Sequence, residues 1–94
     1  MKGYSMSTFK LEVGGNCANG ARVVCLFVGR FEGVVLAQWR SEYVTWVFNK
    51  EIQDCTAHGN YFLYGTRESD DTEEEAYQKA AKDFVVRVTK YISH

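Results

Sequence analysis

The chain has 94 residues, of which 46% are hydrophobic, 24% charged and 15% aromatic. This length accommodates one domain, and the aromatic content excludes an intrinsically disordered chain. The net charge of −1 points to neither nucleic acid nor membrane as a partner, and no apolar run approaches the roughly 20 residues of a membrane span. Three cysteines at irregular spacings do not make a disulfide framework, so we expect a cytoplasmic protein.

The first two thirds of the chain predict strands. Residues 1–7 are polar and small, and we expect a flexible N-terminus there. Residues 8–13 alternate apolar and charged side chains with the period of two that is typical of a half-buried strand. A Gly- and Asn-rich turn follows, and then further strands are predicted at 21–30, 34–40, 43–49 and 60–65, with a tight turn at 41–42. Such short connections favour an antiparallel meander.

Residues 72–92 predict an amphipathic helix, because apolar side chains recur there at intervals of three and four. Thr72 and Glu75 fit a capping box, in which each side chain binds the backbone N–H of the other residue. The fold class is therefore α+β, an antiparallel sheet of four to five strands with one C-terminal helix on one face, in a single domain of residues 8–94. We expect five helix side chains to contact the sheet: Tyr77, Ala81, Phe84, Val88 and Tyr91.

One helix covers only one face of a sheet, so the sequence predicts that the other face is exposed. Two sets of side chains alternate along the predicted strand 43–49, and only one set can face the helix: Tyr43, Thr45 and Val47, or Val44, Trp46 and Phe48. An exposed aromatic face around Trp39 and Trp46 is typical of a partner-binding surface or a homodimer interface.

Acidic residues are concentrated just before and within the start of the predicted helix. Six of them fall within residues 68–75: Glu68, Asp70, Asp71, Glu73, Glu74 and Glu75. The rest of the chain holds six acids and eleven bases, so a charge of −6 in this segment is set against +5 elsewhere. Closely spaced carboxylates can imitate a phosphate backbone and occupy a basic groove on a nucleic-acid-binding protein. The other interpretation is a solvated helix start stabilised by the helix dipole.

Cys55 and His58 form a C-x-x-H pair, whose spacing lets both side chains bind one metal ion, most simply zinc. A closed zinc site takes four ligands, and the further candidates are Cys17, Cys25, Asp54 and His94. In an up-and-down meander the turn with Cys17 and the loop with Cys55 lie at opposite ends of the sheet. A zinc site then needs a crossed topology or ligands from a second chain, and the alternative is that these are ordinary turn and core residues.

The sequence contains no catalytic pattern, and we expect no enzymatic activity. The Gly-rich turn lacks the GK[ST] ending of a phosphate loop and leads into a strand. A Cys–His pair made by Cys17 or Cys55 with His58 has no supporting signature. Direct nucleic-acid binding would use basic and aromatic residues of the strands, such as Arg22 and Trp46, but no RNA-recognition motif accompanies them.

A short single domain with a sheet, a helix, an acidic patch and no catalytic set is similar in general character to small proteins of phages and mobile elements, including anti-CRISPR proteins. The resemblance implies a small inhibitor or adaptor that binds a protein. Some anti-CRISPR proteins imitate DNA and a few hold metal ions, and both ideas fit this chain: the charge of residues 68–75 suits an inhibitor that blocks a nucleic-acid-binding partner such as a nuclease complex, and the Cys55–His58 pair suits a metal ion. The competing hypothesis is a small nucleic-acid-associated or structural domain that uses the basic and aromatic sheet face.

Overall fold

The computed structural model describes residues 11–17, 19–49 and 59–93, which form one sheet and one helix. The elements are β1 (Arg22–Val28), β2 (Glu32–Trp39), β3 (Glu42–Asn49), β4 (Asn60–Leu63) and α1 (Glu73–Ile92). The strands lie in the order β1-β2-β3-β4, and each neighbouring pair is antiparallel. The predicted α+β class, the meander and the C-terminal helix are confirmed. The predicted flexible start at 1–7 and most of the connection after β3 lie outside the described residues.

The turn between β2 and β3 is formed by Arg40 and Ser41, one residue earlier than predicted, because Trp39 pairs with Glu42. Arg40 takes the left-handed conformation with φ of 57°, which is uncommon for a residue other than glycine. Its guanidinium carbon lies 4.5 Å from the centroid of the Trp39 ring, and its carbonyl oxygen accepts a hydrogen bond of 3.1 Å from the Tyr64 hydroxyl. These contacts stabilise the strained residue.

The predicted strand at 8–13 lies partly outside the described residues, and its described part, 11–13, is not a strand. The chain instead turns at Gly14, whose φ of 88° is in the left-handed region. The N–H of Gly14 donates to the carbonyl of Val23, and the N–H of Val23 donates to the carbonyl of Gly15, at 2.9 Å each. This short pairing turns the segment before β1 back along the sheet and buries Leu11 and Cys17.

The sheet has a hydrophobic core on each face. On the helix face, the buried residues are Leu36, Tyr43, Ala76 and Ala80. On the opposite face they are Leu11, Cys17, Ala21, Val23, Val35, Ala37, Val44, Trp46 and Phe48. Trp46 is only 1% exposed, so the prediction of an exposed aromatic face is wrong. The segment before β1 contributes Leu11 and Cys17 to this second core, while Trp39 stays half-buried at its edge.

A β-bulge in β1 determines which of its side chains face the helix. Val23 pairs with Ala37 but Cys25 pairs with the adjacent Leu36, so Val24 has no partner on β2. As a result Val24 and Cys25 both belong to the helix-side core, whereas Val23 belongs to the opposite core.

The helix begins where the sequence predicted. The Thr72 hydroxyl accepts a hydrogen bond of 3.1 Å from the Glu75 N–H, and the Glu75 carboxylate accepts one of 2.8 Å from the Thr72 N–H. The two fully buried helix residues are Ala76 and Ala80, whose small side chains allow close approach to the sheet. The predicted contact residues surround them: Tyr77, Ala81 and Phe84 are partly buried against this core, Val88 is half-buried, and Tyr91 packs edge-to-face on Phe27.

Candidate functional site

The six predicted acids lie together around the loop between β4 and α1 and in the first turn of the helix, and we call residues 68–75 the acidic segment. The loop that carries them is held by its own hydrogen bonds. The N–H of Gly65 donates to the carbonyl of Asp71 at 3.1 Å, and the N–H of Asp71 donates to the Ser69 hydroxyl at 3.1 Å. Thr66 and Ser69 form an isolated antiparallel bridge. The backbone therefore presents the acids in a defined arrangement.

Two acids of this segment stabilise the helix start. The Asp71 carboxylate lies 2.6 Å from the Lys79 ammonium, and this hydrogen bond, together with the charge of Asp71, raises the pKa of Lys79. Glu75 is the second partner of the capping box with Thr72. Both roles agree with the alternative interpretation of the acids as residues that stabilise a helix N-terminus.

Glu73 tethers the helix to the sheet, which the sequence did not reveal. Its carboxylate accepts hydrogen bonds from the Tyr43 hydroxyl at 3.0 Å and from the Gln38 amide at 3.1 Å. Burial of the phenol, followed by its hydrogen bond to Glu73, raises the pKa of Tyr43 to about 12. Tyr43 therefore keeps its proton and its donor role at neutral pH.

Most of the negative charge of the acidic segment remains unneutralised. Among the described residues, salt bridges join only Lys79 to Asp71 and Arg87 to Asp83. Glu68, Asp70 and Glu74 are exposed, and the hydrogen bond that Glu74 accepts within the described part of the chain comes from the neutral Gln78 amide at 3.4 Å. Neutral donors orient the carboxylates of Glu73 and Glu75 without cancelling their charge. The structure thus divides the six acids into three with internal roles and three that are free to contact another molecule.

A polar cluster around Asp83 joins the middle of α1 to the sheet. Thr45 is fully buried, and its hydroxyl donates a hydrogen bond of 2.5 Å to the Asp83 carboxylate. The same oxygen accepts hydrogen bonds from the Asn60 amide at 3.1 Å and from Arg87 Nε at 3.0 Å. Burial alone would raise the pKa of Asp83, but these three hydrogen bonds and the Arg87 charge outweigh it and lower that pKa. The i,i+4 spacing of Asp83 and Arg87 was the available sequence signal.

Beyond this cluster, the C-terminal half of α1 and the sheet enclose a cleft of about 390 Å³, which we call the helix–sheet cleft. It is lined by Glu32, Val34, Val47, Asn60, Asp83, Val86, Arg87, Lys90 and Tyr91. The Tyr91 hydroxyl accepts hydrogen bonds from the N–H groups of Arg30 at 2.9 Å and Phe31 at 3.3 Å, so it fixes the β1–β2 turn at the end of the cleft. The sequence indicated no site here.

The predicted zinc ligands are not brought together within the described part of the chain. No group of three or more His, Cys, Asp or Glu among residues 11–17, 19–49 and 59–93 is arranged to hold a metal ion. Cys17 belongs to the core opposite the helix and Cys25 to the helix-side core, so the sheet separates the two thiols. Cys55 and His58, with Asp54 and His94, lie outside the described residues, and zinc binding by this pair stays a prediction.

No protein-family model, curated protein or solved structure matches this chain. The similarity in general character to anti-CRISPR proteins therefore stays a hypothesis. Among the described residues, no helix has both the length and the apolar composition needed to cross a membrane.

Proposed function

We propose that this protein acts by binding, as a small inhibitor or adaptor whose acidic segment contacts a basic surface on a partner protein. The observation that supports this proposal is the charge that the segment retains. Asp71 alone of the six acids pairs with a cation among the described residues, which leaves five carboxylates without a basic partner. Exposed charge of one sign contributes more to association rate and partner choice than to folding.

The fixed backbone of the segment also favours binding. Ordering a mobile loop on association costs free energy, and a segment that is already held by hydrogen bonds avoids part of that cost. The partner we propose is a nucleic-acid-binding protein, because its phosphate-binding groove presents Arg and Lys side chains to which carboxylates are complementary. An anti-CRISPR-type inhibitor, which occupies such a groove on a nuclease complex, is the specific form of this proposal.

The experiment compares capture of partners from cell lysate by the wild-type chain and by a triple variant, Glu68→Lys, Asp70→Lys and Glu74→Lys. These three acids have no cation partner among the described residues, so their reversal leaves the Asp71, Glu73 and Glu75 contacts in place. We expect the triple variant to lose the captured protein, and we expect wild-type capture to weaken as the Debye length falls from about 10 to 3 Å with added salt.

The matched control is Glu12→Lys, which reverses an exposed acid outside the acidic segment. Its capture of the partner is compared with that of the single variant Asp70→Lys, which makes the same change within the segment. We expect Glu12→Lys to retain the partner. An oligonucleotide added to the lysate should displace the chain if both occupy one groove. Undiminished capture by a folded triple variant would exclude the acidic segment as the contact surface.

Zinc binding by Cys55 and His58 is a separate proposal, which is supported by the spacing of the pair alone. Elemental analysis of the purified protein should find near-stoichiometric zinc that a Cys55→Ser variant lacks. Metal-free protein whose thermal stability does not change with chelator would rule the site out.

A further inference from the structure

The helix–sheet cleft contains a cation whose position is fixed by the sheet. Arg87 is held through its Nε on Asp83, and Asp83 is itself held by the buried Thr45 hydroxyl. Because only Nε is used, the terminal nitrogens of the Arg87 guanidinium have no acceptor among the described residues. A guanidinium held in this way keeps donors in the fork geometry that suits carboxylate and phosphate groups.

Two further donors line the same cleft. Lys90 is three residues after Arg87, on the same side of the helix, and its ammonium forms no salt bridge with a described residue. The Tyr91 hydroxyl already accepts two backbone hydrogen bonds, so its own proton is left to donate. Arg87 and Lys90 can only donate hydrogen bonds, and the acceptor capacity of the Tyr91 hydroxyl is already used. Three hydrogen-bond donors therefore line one cleft.

Three valines form the apolar part of the lining. Val47 and Val86 are 41% and 47% exposed and both line the cleft, whereas the buried Val34 pairs with Val47 from β2. The volume of about 390 Å³ lies within the range of small-molecule sites. Apolar walls beside a few convergent polar groups are the usual composition of such a site.

We propose that the helix–sheet cleft binds a small organic anion with an apolar tail, a carboxylate or a phosphate ester, whose charged group contacts Arg87, Lys90 and Tyr91 and whose tail contacts Val47 and Val86. The site lies at the opposite end of α1 from the acidic segment and does not depend on the function proposed for that segment. Three features of the cleft act against an anion: the carboxylates of Glu32 and Asp83 and the partial negative charge of the helix C-terminus. Because the sign of each of these charges is known, we can predict whether a variant that removes one of them strengthens or weakens anion binding.

The experiment is a titration of the full-length ¹⁵N-labelled chain, followed by NMR, with hexanoate and hexyl phosphate as probes and with acetate, inorganic phosphate and hexanol as controls. We expect saturable chemical-shift changes at Val47, Val86, Arg87 and Tyr91 with at least one of the two long-chain anions. The anion that binds more tightly shows whether the cleft prefers a carboxylate or a phosphate ester. The controls should bind at least about tenfold more weakly, because each lacks either the charge or the tail.

Substitutions at three exposed positions test whether charge in the cleft controls anion binding, because they should weaken it, tighten it and leave it unchanged. Lys90→Gln should weaken binding of the long-chain anion about two- to fivefold, the range for an ion pair at an exposed position. Glu32→Gln should tighten binding, because it removes a repelling carboxylate from the wall. Lys82→Gln changes an exposed lysine of α1 that does not line the cleft, and it should leave the affinity unchanged.

The proposal is overturned if no saturable shift occurs at the cleft, or if hexanol binds as tightly as hexanoate. Equal affinity for inorganic phosphate and hexyl phosphate would mean an adventitious ion only. A loss of binding with Lys82→Gln equal to that with Lys90→Gln would mean unspecific attraction by the helix, and this too would overturn it.

Discussion

The side chains on the two faces of the sheet make different kinds of contact with the rest of the molecule. Opposite the helix, a continuous apolar cluster around Trp46, Val35 and Phe48 is covered in part by the segment before β1. On the helix face, the single buried polar residue of the described chain, Thr45, donates to Asp83. Hydrogen bonds from the sheet also anchor the first turn of α1, and the β1–β2 turn binds its last turn.

The apolar contacts mainly stabilise the sheet, whereas the polar contacts determine where α1 lies on it. Burial of apolar surface is non-directional, so the side chains opposite the helix stabilise the sheet, and the segment before β1 is placed instead by its backbone hydrogen bonds to Val23. Hydrogen bonds are directional, and α1 has such anchors at Glu73, Asp83 and Tyr91. The polar anchors therefore fix the position of α1, and with it the placement of the acidic segment and the walls of the helix–sheet cleft.

The largest effect is expected from Trp46→Ala, which removes a fully buried ring from the core opposite the helix. We expect the free energy of unfolding, measured by urea denaturation, to fall by about 3–5 kcal/mol, the range for large-to-small substitutions in a core. Phe84→Ala, on the partly buried helix face, should cost less, about 1.5–3 kcal/mol. Equal costs at the two positions would show that the helix-side core is as tightly packed as the opposite one.

The Asp83 cluster gives the next largest effect. Thr45→Val keeps the shape of the buried side chain and removes the hydroxyl that donates to Asp83. We expect a loss of about 1.5–3 kcal/mol at neutral pH, as for other hydrogen bonds to a charged group. Val24→Ala, which shortens a half-buried side chain of the same face without touching the cluster, is the control for lost packing.

The same variant should change how stability depends on pH. Because the folded pKa of Asp83 is below its usual value of 3.8, the stability that this carboxylate contributes is present above pH 3.8 and is lost as pH falls through the folded pKa. Thr45→Val removes one cause of the lowered pKa. The difference in stability between wild type and variant should therefore narrow in acid, and a difference that is constant with pH would contradict the role of the hydroxyl.

A smaller effect is expected from Tyr43→Phe, which removes the donor to Glu73 at the first turn of α1. We expect a loss of about 1–1.5 kcal/mol, because water can replace the donor at the exposed Glu73 carboxylate. The folded pKa of about 12 lies above the ordinary 10.0, so the phenol contributes stability that is complete below pH 10.0 and is lost as pH rises towards 12. Absorbance titration of the phenolates should show one fewer late-titrating tyrosine in the variant.

The sequence predicted the elements whose signals are local. β2, β3 and α1 lie within a few residues of the predicted bounds, because alternation and helical spacing recur over many residues, and the Thr72 capping box lies where predicted. The cover over Trp46 could not be predicted, because it depends on a segment whose alternation predicts a half-buried strand and which instead turns at Gly14.

The site residues, too, could be predicted only where their signal is local in the sequence. The exposure of Glu68 and Asp70 agrees with the sequence interpretation of a charged segment. The engagement of Glu73 by Tyr43 requires the register of β3 against the helix, which no local pattern contains. Likewise, the bulge at Val24 and the meeting of Thr45 with Asp83 arise only when distant elements pack together.

The smallest effect tests the boundary between the loop and α1. Thr72→Ala removes the oxygen that accepts from the Glu75 N–H. It should lower the free energy of unfolding by about 0.5–1 kcal/mol, near the lower end for N-cap residues because the cap is exposed and water can take its place. Thr89→Ala, at an exposed position within the same helix, is the control and should not destabilise the chain. Hydrogen exchange should become faster at the amides of Glu75 and Ala76, which donate to Thr72, while the amides around Asp83 stay protected, because fraying of the first turn leaves the other two anchors of the helix in place. Faster exchange along the whole helix would instead mean that the cap, and not the Asp83 cluster, fixes α1 on the sheet.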